Sequence, residues 1–131
     1  MRELLPKGWS APKGFSHGVD VEGRMVVLAG QVGVDSAGRL MSPGFVEQAG
    51  QALRNIVALL EEGGARPEHL VRLTWYVTDM AEYLASQKPL GSIYRSIMGS
   101  HFPPMTLVAV SGLVIPGSKV EIEATAVVPT K

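Results

Sequence analysis

The sequence has no cysteine, no excess of charge of either sign and no long apolar run. Without cysteine, the chain has no disulfide, no thiolate metal site and no thiol nucleophile. Its 12 basic and 12 acidic residues leave no net field to attract a polyanion, so nucleic acid is not an expected partner. The longest uninterrupted apolar stretch, MVVLA, is of strand length, which argues against a membrane span.

The beginning of the chain also lacks a targeting signal. The stretch MRELLPKGWS has neither the apolar core nor the cleavage site of a secretory signal. This predicts a cytoplasmic protein. A length of 131 residues is typical of one domain, so we expect a single domain over residues 1–131.

Several segments of the chain have the periodicity of strands. The run FSHGVDVEGRMVVLAGQVGVD predicts a hairpin that turns at Glu22-Gly23-Arg24, after an extended arm over residues 1–12. A short strand is predicted over residues 39–41, and two closing strands at about 105–111 and 119–128. In LVRLTWYVTD, strict alternation places four apolar side chains on one face: Val71, Leu73, Trp75 and Val77.

Two segments have helical periodicity. Ser42 followed by Pro43 predicts the start of the first helix, and Gly63-Gly64 predicts its end. Its apolar stripe excludes Gln48 and consists of Val46, Ala49, Leu53, Ile56, Val57 and Leu60. Asp79 is predicted to cap the second helix, which Pro89 should bend or divide.

The order of these elements, β-β-(β)-α-β-α-β-β, predicts an α+β fold with a mixed sheet. Two helices can cover only one face of that sheet. The closing strands are apolar on both faces, and several hundred Å² of apolar surface left in water would forfeit several kcal/mol. The sequence therefore predicts a homo-oligomer, with any pocket between subunits.

Most motifs of known chemistry are missing. The three histidines, His17, His69 and His101, lie in separate segments without ligand spacing, so no metal site is predicted. GQVGVDSAG has neither dinucleotide-binding nor P-loop spacing, and its glycines suit turns. No G-x-S-x-G is present, which argues against a serine hydrolase.

Glu121 and Glu123 form the one pair of residues that suggests chemistry. Alternation in KVEIEATAV sends both carboxylates to the same face of the last strand. If that face is solvated, the pair has no catalytic role. If it lines a subunit interface, one carboxylate becomes a usable general base for water.

The chain resembles the reactive intermediate deaminases, the YjgF/Rid group. The resemblance covers most of the sequence and rests on four stretches: FSHGVDVEGRMVVLAGQVGVD, FVEQAGQALRNIVALLEEGGA, LVRLTWYVTDM and KVEIEATAVV. It implies a chorismate-mutase-like fold and a homotrimer with clefts between neighbouring subunits. Characterised members hydrolyse 2-imino acids or their enamine tautomers to 2-keto acids and ammonia without a cofactor.

Only part of the family's site is carried over. Glu121 matches the glutamate thought to position water, and Gly30-Gln31 match a segment whose backbone faces the ligand. Phe15 stands where a tyrosine is usual, and the usual asparagine falls at Lys88 or Gly91.

The arginine that grips the substrate carboxylate is replaced by Met105, in PPMT. Methionine makes no charge-assisted hydrogen bond, and together with Leu107 it makes this wall apolar. We therefore expect Glu121 to handle water, and Phe15, Gly30, Gln31, Met105 and Leu107 to bind the ligand.

Three functions follow from this comparison. The first is cofactor-free hydrolysis of an imine, enamine or related labile C–N compound other than the usual 2-imino acids. The second is a non-catalytic trimer that binds a small molecule or regulates a partner. The third, a ribonuclease or RNA-binding module, is disfavoured by the balanced charge.

Overall fold

A computed structural model describes residues 1–130. Its elements in chain order are strands β1 (Arg2–Glu3), β2 (Val19–Asp20) and β3 (Gly23–Gln31), helix α1 (Phe45–Glu62), a 3-10 turn (Pro67–His69), strand β4 (Leu70–Val77), helices α2 (Met80–Ala85) and α3 (Gln87–Met98), and strands β5 (Met105–Ala109) and β6 (Val120–Pro129). Within this described part, no helix has the length and apolarity needed to cross a membrane.

The main sheet has four strands in the order β3-β6-β4-β5. Strands β4 and β5 are parallel, because the helical segment between them carries the chain back to the same end of the sheet. The other neighbours are antiparallel. The predicted α+β class with a mixed sheet is confirmed.

The core lies between this sheet and helices α1 and α3. Leu53, Ile56 and Leu60 of α1 are fully buried, as the apolar stripe predicted. The sheet contributes Leu73, Trp75 and Val77 from β4 and Val120, Ile122, Ala124 and Ala126 from β6. Both helices therefore cover the same face, called here the helix face, and the opposite face of the sheet is called the open face.

The predicted hairpin around Gly23 is wrong. Strand β2 pairs with β1, in the segment expected to be an arm without strands, while β3 pairs along its length with β6. Pairing with β6 places Val26 and Leu28 of β3 on the helix face, where they pack against the core. The burial of this apolar row outweighs the local turn signal.

Helix α1 begins at Phe45, two residues after Pro43, which the sequence predicted as its first residue. Gly44 is the N-cap residue, and the Ser42 hydroxyl instead accepts a hydrogen bond from the Gly44 N–H at 3.1 Å. That local bond keeps Ser42 and Pro43 in the turn before the helix. The predicted end of the helix at Gly63-Gly64 is confirmed.

Gln48, expected on the outer side of α1, is fully buried. Its Nε2 donates to the carbonyl oxygens of Ser42 and Gly117 at 2.9 and 3.1 Å, and its Oε1 accepts from the Lys119 N–H at 2.7 Å. These bonds satisfy backbone groups of two loops. They also fix Lys119, which directly precedes β6 and is two residues before Glu121.

The second helical region follows the prediction more closely. The Asp79 carboxylate accepts from the Glu82 N–H at 3.1 Å, which confirms the cap. The helix divides at Ser86, and Pro89 lies in the first turn of α3, where its missing N–H costs no hydrogen bond.

Two smaller strand predictions are corrected. A register shift between Leu70 and Arg72 turns Leu70 into the core in place of Val71. The strand expected over residues 39–41 is reduced to one bridge between Val34 and Leu40.

Candidate functional site

A cavity of about 400 Å³ opens beside β5, between the chain segment 13–15 and helices α2 and α3. This volume is in the range of small-molecule sites. Its lining residues are Lys13, Gly14, Phe15, Leu73, Trp75, Tyr83, Gln87, Leu90, Gly91, Tyr94, Arg95, Phe102, Pro103 and Met105. We call it the aromatic cavity, because five of these residues are Phe, Tyr or Trp.

Hydrogen bonds hold Phe15 at the cavity wall. The next residue, Ser16, donates its hydroxyl to the Phe102 carbonyl at 2.6 Å and its N–H to the Pro103 carbonyl at 3.3 Å. The rings of Phe102 and Tyr94 stack with their centroids 5.4 Å apart. The Tyr94 hydroxyl donates to the His101 carbonyl at 2.8 Å, and burial raises the pKa of Tyr94. The wall is thus a fixed aromatic surface.

Two cations lie at this cavity, Lys13 and Arg95, and both are exposed to solvent. A Cβ placed on Gly91 would lie 3.2 Å from Nη1 of Arg95. The guanidinium therefore lies against Gly91, one helical turn back along α3 and at the cavity wall. Of the two residues at which the family's asparagine could fall, Gly91 lines the cavity and Lys88 does not.

Trp75 provides another polar atom near the cavity. Its ring is part of the lining and is 5% exposed, and its Nε1 is buried without a hydrogen-bond partner within residues 1–130. A buried N–H of this kind is costly unless an acceptor reaches it.

Glu121 lies on the open face, beside Gly30. A Cβ on Gly30 would be 2.8 Å from Cδ of Glu121, so the carboxylate occupies space that any other residue at position 30 would fill. The register of β3 against β6 shifts between Leu28 and Gln31, and this irregularity brings Gly30 against Glu121. The missing side chain at Gly30 and the register shift together leave the space that the Glu121 carboxylate occupies, called here its seat.

Helix α1 holds the chain that follows this seat. Asn55 Nδ2 donates to the carbonyl oxygens of Val32 and Val34 at 3.2 and 3.0 Å. A Cβ on Gly33 would lie 2.7 Å from Cα of Gln48, so Gly33 permits this close approach. Gln31 donates its amide to the Ala29 carbonyl at 3.1 Å. Gly30 and Gln31 are therefore followed directly by a segment that hydrogen bonds and close packing hold against α1.

The open face around Glu121 combines acidic and apolar residues. The Tyr76 hydroxyl donates a hydrogen bond to Glu123, and this bond, with desolvation and the charges of Glu123 and Glu121, raises the pKa of Tyr76. Met25 and Val27 of β3 are 65% and 69% exposed on the same face. So much exposed apolar surface is typical of an interaction surface.

The structure divides the predicted site residues into two groups. Phe15 and Met105 line the aromatic cavity, and Leu107 follows Met105 on the helix face, opposite Trp75. Gly30 lies against Glu121, which is opposite Tyr76 on the open face. Gln31 follows Gly30 and is paired with Ile122, the residue after Glu121. Met105 and Glu121 are on strands separated by β4 and point to opposite faces. One protomer therefore does not bring the two groups together.

Sequence reasoning missed Arg95, Lys13, Trp75 and Tyr83 as cavity residues. Arg95 follows Gly91 by four residues, a spacing that puts both on one helix face, so the helical pattern contained a signal for it. Trp75 depends on the parallel pairing of β4 with β5, which local pattern did not reveal. Within residues 1–130, no group of three acidic or histidine side chains is placed to hold a metal ion.

Comparison with known proteins gives consistent results. The family model described as Endoribonuclease L-PSP matches residues 8–128. A RutC family protein of Aquifex aeolicus is 34% identical over 130 residues, which is 97% of this chain and 99% of the relative. A human 2-iminobutanoate/2-iminopropanoate deaminase is 33% identical over 114 residues, 86% of this chain and 79% of that protein.

A solved structure has a similar fold. The protein YyfB of the conserved Rid protein family, from Yersinia pestis, superposes with a TM-score of 0.86 at 31% identity, covering 97% of this chain and 98% of that one. A putative endoribonuclease from Thermotoga maritima superposes with a TM-score of 0.71 at 29% identity, and the match covers 99% of both chains.

Proposed function

Because the chain belongs to the Endoribonuclease L-PSP family, the YjgF/Rid group, we propose that it is a hydrolase of an imine, an enamine or a related labile C–N compound, without a cofactor. The observation that supports this most directly is the carboxylate of Glu121 seated over Gly30. Several relatives are named 2-iminobutanoate/2-iminopropanoate deaminases. The wall at Met105 favours a substrate other than the usual 2-imino acids.

The proposed reaction needs little from the protein beyond placing a water molecule. The water oxygen bonds to the imine carbon while Glu121 accepts a proton from it. That proton passes to the imine nitrogen, which gives an aminoalcohol. The hydroxyl of this intermediate then gives up its own proton, which is transferred to the nitrogen. The C–N bond breaks as the C=O bond forms, and ammonia and a carbonyl product leave. An imine is already electrophilic, so position and proton transfer account for most of the rate.

Association of protomers would bring the aromatic cavity close to Glu121, which one protomer alone does not do. We take the assembly to be a cytoplasmic homotrimer, in which the aromatic cavity of one protomer meets the open face of the next. A cyclic trimer joins two different patches of each protomer, which suits half-sites on opposite faces of one sheet. It would also cover Met25 and Val27.

The same cavity suits a second function, a non-catalytic trimer that binds a small molecule. The observation in its favour is Met105, which leaves the cavity without the arginine that the family resemblance associates with 2-imino acids. Turnover separates the two functions.

Hydrolysis of imines generated in situ is expected to exceed the rate in buffer, and Glu121→Gln is expected to lower it about 100-fold. Glutamine can still hydrogen-bond a water molecule but cannot accept its proton. The measurement is the appearance of the carbonyl product from alkyl and aryl imines. Saturable binding with no turnover of any imine would favour the second function, and cleavage of RNA that survives high salt would favour the ribonuclease named in the family description.

The shared cleft predicts a specific assembly and a specific recovery of activity. Three chains of 14.0 kDa give a particle of about 42 kDa by light scattering. Glu121→Gln and Met105→Glu damage different half-sites, so each variant alone should be nearly inactive. After joint refolding, about a quarter of the clefts in random trimers pair two intact halves, and activity should return to about that fraction of the parent.

A stable monomer, or mixed trimers with no recovered activity, would contradict the shared cleft. The control is a mixture of the two variants without refolding, in which the trimers remain unmixed. Circular dichroism establishes that Met105→Glu is folded before mixing.

A further inference from the structure

We infer that Arg95 is the anion-binding residue of the aromatic cavity, and that the ligand class is an aryl-bearing carboxylate. The inference rests on the proposed cleft and names the part of the ligand that the cavity recognises. The carboxylate would sit at the cavity mouth on Arg95, and the aryl group would lie among the rings.

The position of Arg95 is the first argument. Its guanidinium lies against Gly91 at the cavity wall, because glycine leaves there the space that a side chain would take. None of the ion pairs formed within residues 1–130 includes Arg95 or Lys13. Both charges are therefore available to a ligand, and a guanidinium binds a carboxylate through two parallel hydrogen bonds.

The composition of the wall is the second argument. Phe15, Tyr94 and Phe102 supply ring surfaces, while Leu73, Leu90, Pro103 and Met105 complete an apolar lining. A cavity of about 400 Å³ has room for one aromatic ring with a short acidic chain. Flat rings offer contact to an aryl group, and methionine adapts to its edge.

The depth of the cavity is the third argument. The Trp75 ring lines it, and its Nε1–H has no acceptor within residues 1–130. A ligand that supplied a neutral acceptor to this donor, such as an imine nitrogen or a carbonyl oxygen, would remove the cost of leaving it unpaired. The cavity thus has two exposed cations at its edge, and one of its lining residues carries an unpaired neutral donor.

An arginine at the end of α3 also has a simpler role, since a cation in the last turn favours the helix dipole. That role requires no ligand and predicts no preference for a carboxylate. Binding measurements distinguish the two.

The experiment uses three probes: 3-phenylpropanoate, its neutral amide and butanoate. Trp9 is 57% exposed, so Trp9→Phe leaves Trp75 as the sole fluorescent tryptophan, at the cavity, and calorimetry gives the dissociation constants. We expect 3-phenylpropanoate to bind about tenfold more tightly than the amide, and butanoate to bind most weakly. In Arg95→Gln the preference for carboxylate over amide should disappear.

Matched variants complete the design. Arg95→Lys keeps the charge and should keep part of the preference, whereas Arg54→Gln, an exposed helix arginine outside the cavity lining, should keep all of it. An unchanged carboxylate preference in Arg95→Gln, or no binding of either aryl probe, would overturn the inference. These probes are bound and not hydrolysed, so the binding test can fail without affecting the result of the hydrolysis test with Glu121→Gln.

Discussion

Replacing Gly30 by alanine is expected to lower imine hydrolysis about 1000-fold while the protein remains folded. The new Cβ would lie 2.8 Å from Cδ of Glu121, which is closer than side-chain carbons approach in folded proteins. The atoms it meets belong to the flexible end of a side chain, so the carboxylate moves and the backbone stays. The methyl group also fills the space in front of the carboxylate, so the loss should exceed that of Glu121→Gln.

The control for this variant is Gly112→Ala. A Cβ on Gly112 meets no atom within 4 Å, so the substitution adds the same methyl group without contact. Thermal unfolding and light scattering should give parent values for both variants, and only Gly30→Ala should lose activity. Full activity in a folded Gly30→Ala protein would show that the position of the Glu121 carboxylate does not matter for the reaction.

Restoring a guanidinium at position 105 is expected to tighten binding of a carboxylate-bearing imine about 30-fold or more. Met105 is half-buried and lines the aromatic cavity, so an arginine there would point at the ligand from a partly desolvated wall. Hydrolysis of a 2-imino acid should rise with the binding, up to the limit imposed by Phe15 and by the missing asparagine. The measurement is kcat/KM for that imine against the parent protein.

Two further variants separate binding from chemistry. Met105→Gln has about the length of the parent methionine and adds a polar group without a charge, so it should give no gain. Met105→Arg combined with Glu121→Gln should bind the imino acid tightly and hydrolyse it no faster than Glu121→Gln, because binding alone does not accelerate the chemical step. If Met105→Arg folds, binds the imino acid and still turns over at background, the ligand-binding function replaces the hydrolase.

Local pattern predicted the elements whose side chains repeat with one clear period. Pro89 indicated the division of the second helix, which falls at Ser86, while the apolar stripe of α1 and the alternation of β4 and β6 have one clear period. Burial of one face stabilises each of these elements, and the spacing of the apolar residues shows which face is buried. Strand alternation also drew attention to the pair Glu121 and Glu123. The family resemblance then selected Glu121 from this pair and added Gly30 and Met105, which composition and period could not do.

Contacts between distant segments were beyond the reach of local pattern. The Glu22-Gly23 turn favoured a hairpin, but β3 instead pairs with β6 about 100 residues later, where its apolar row is buried. Gln48 had the spacing of an exposed residue, yet three backbone groups from two loops make it a buried one. Neither outcome is encoded within a few residues.

The sequence by itself determined the fold class, the family and the chemical types of the site residues, because these depend on periodicity and on residue identity. Only the tertiary structure decided that Met105 and Glu121 face opposite sides of one sheet, and that Arg95 and Trp75 lie at the aromatic cavity. The physical reason is that strand order and helix docking follow from the burial of all apolar faces together. No single segment contains that information.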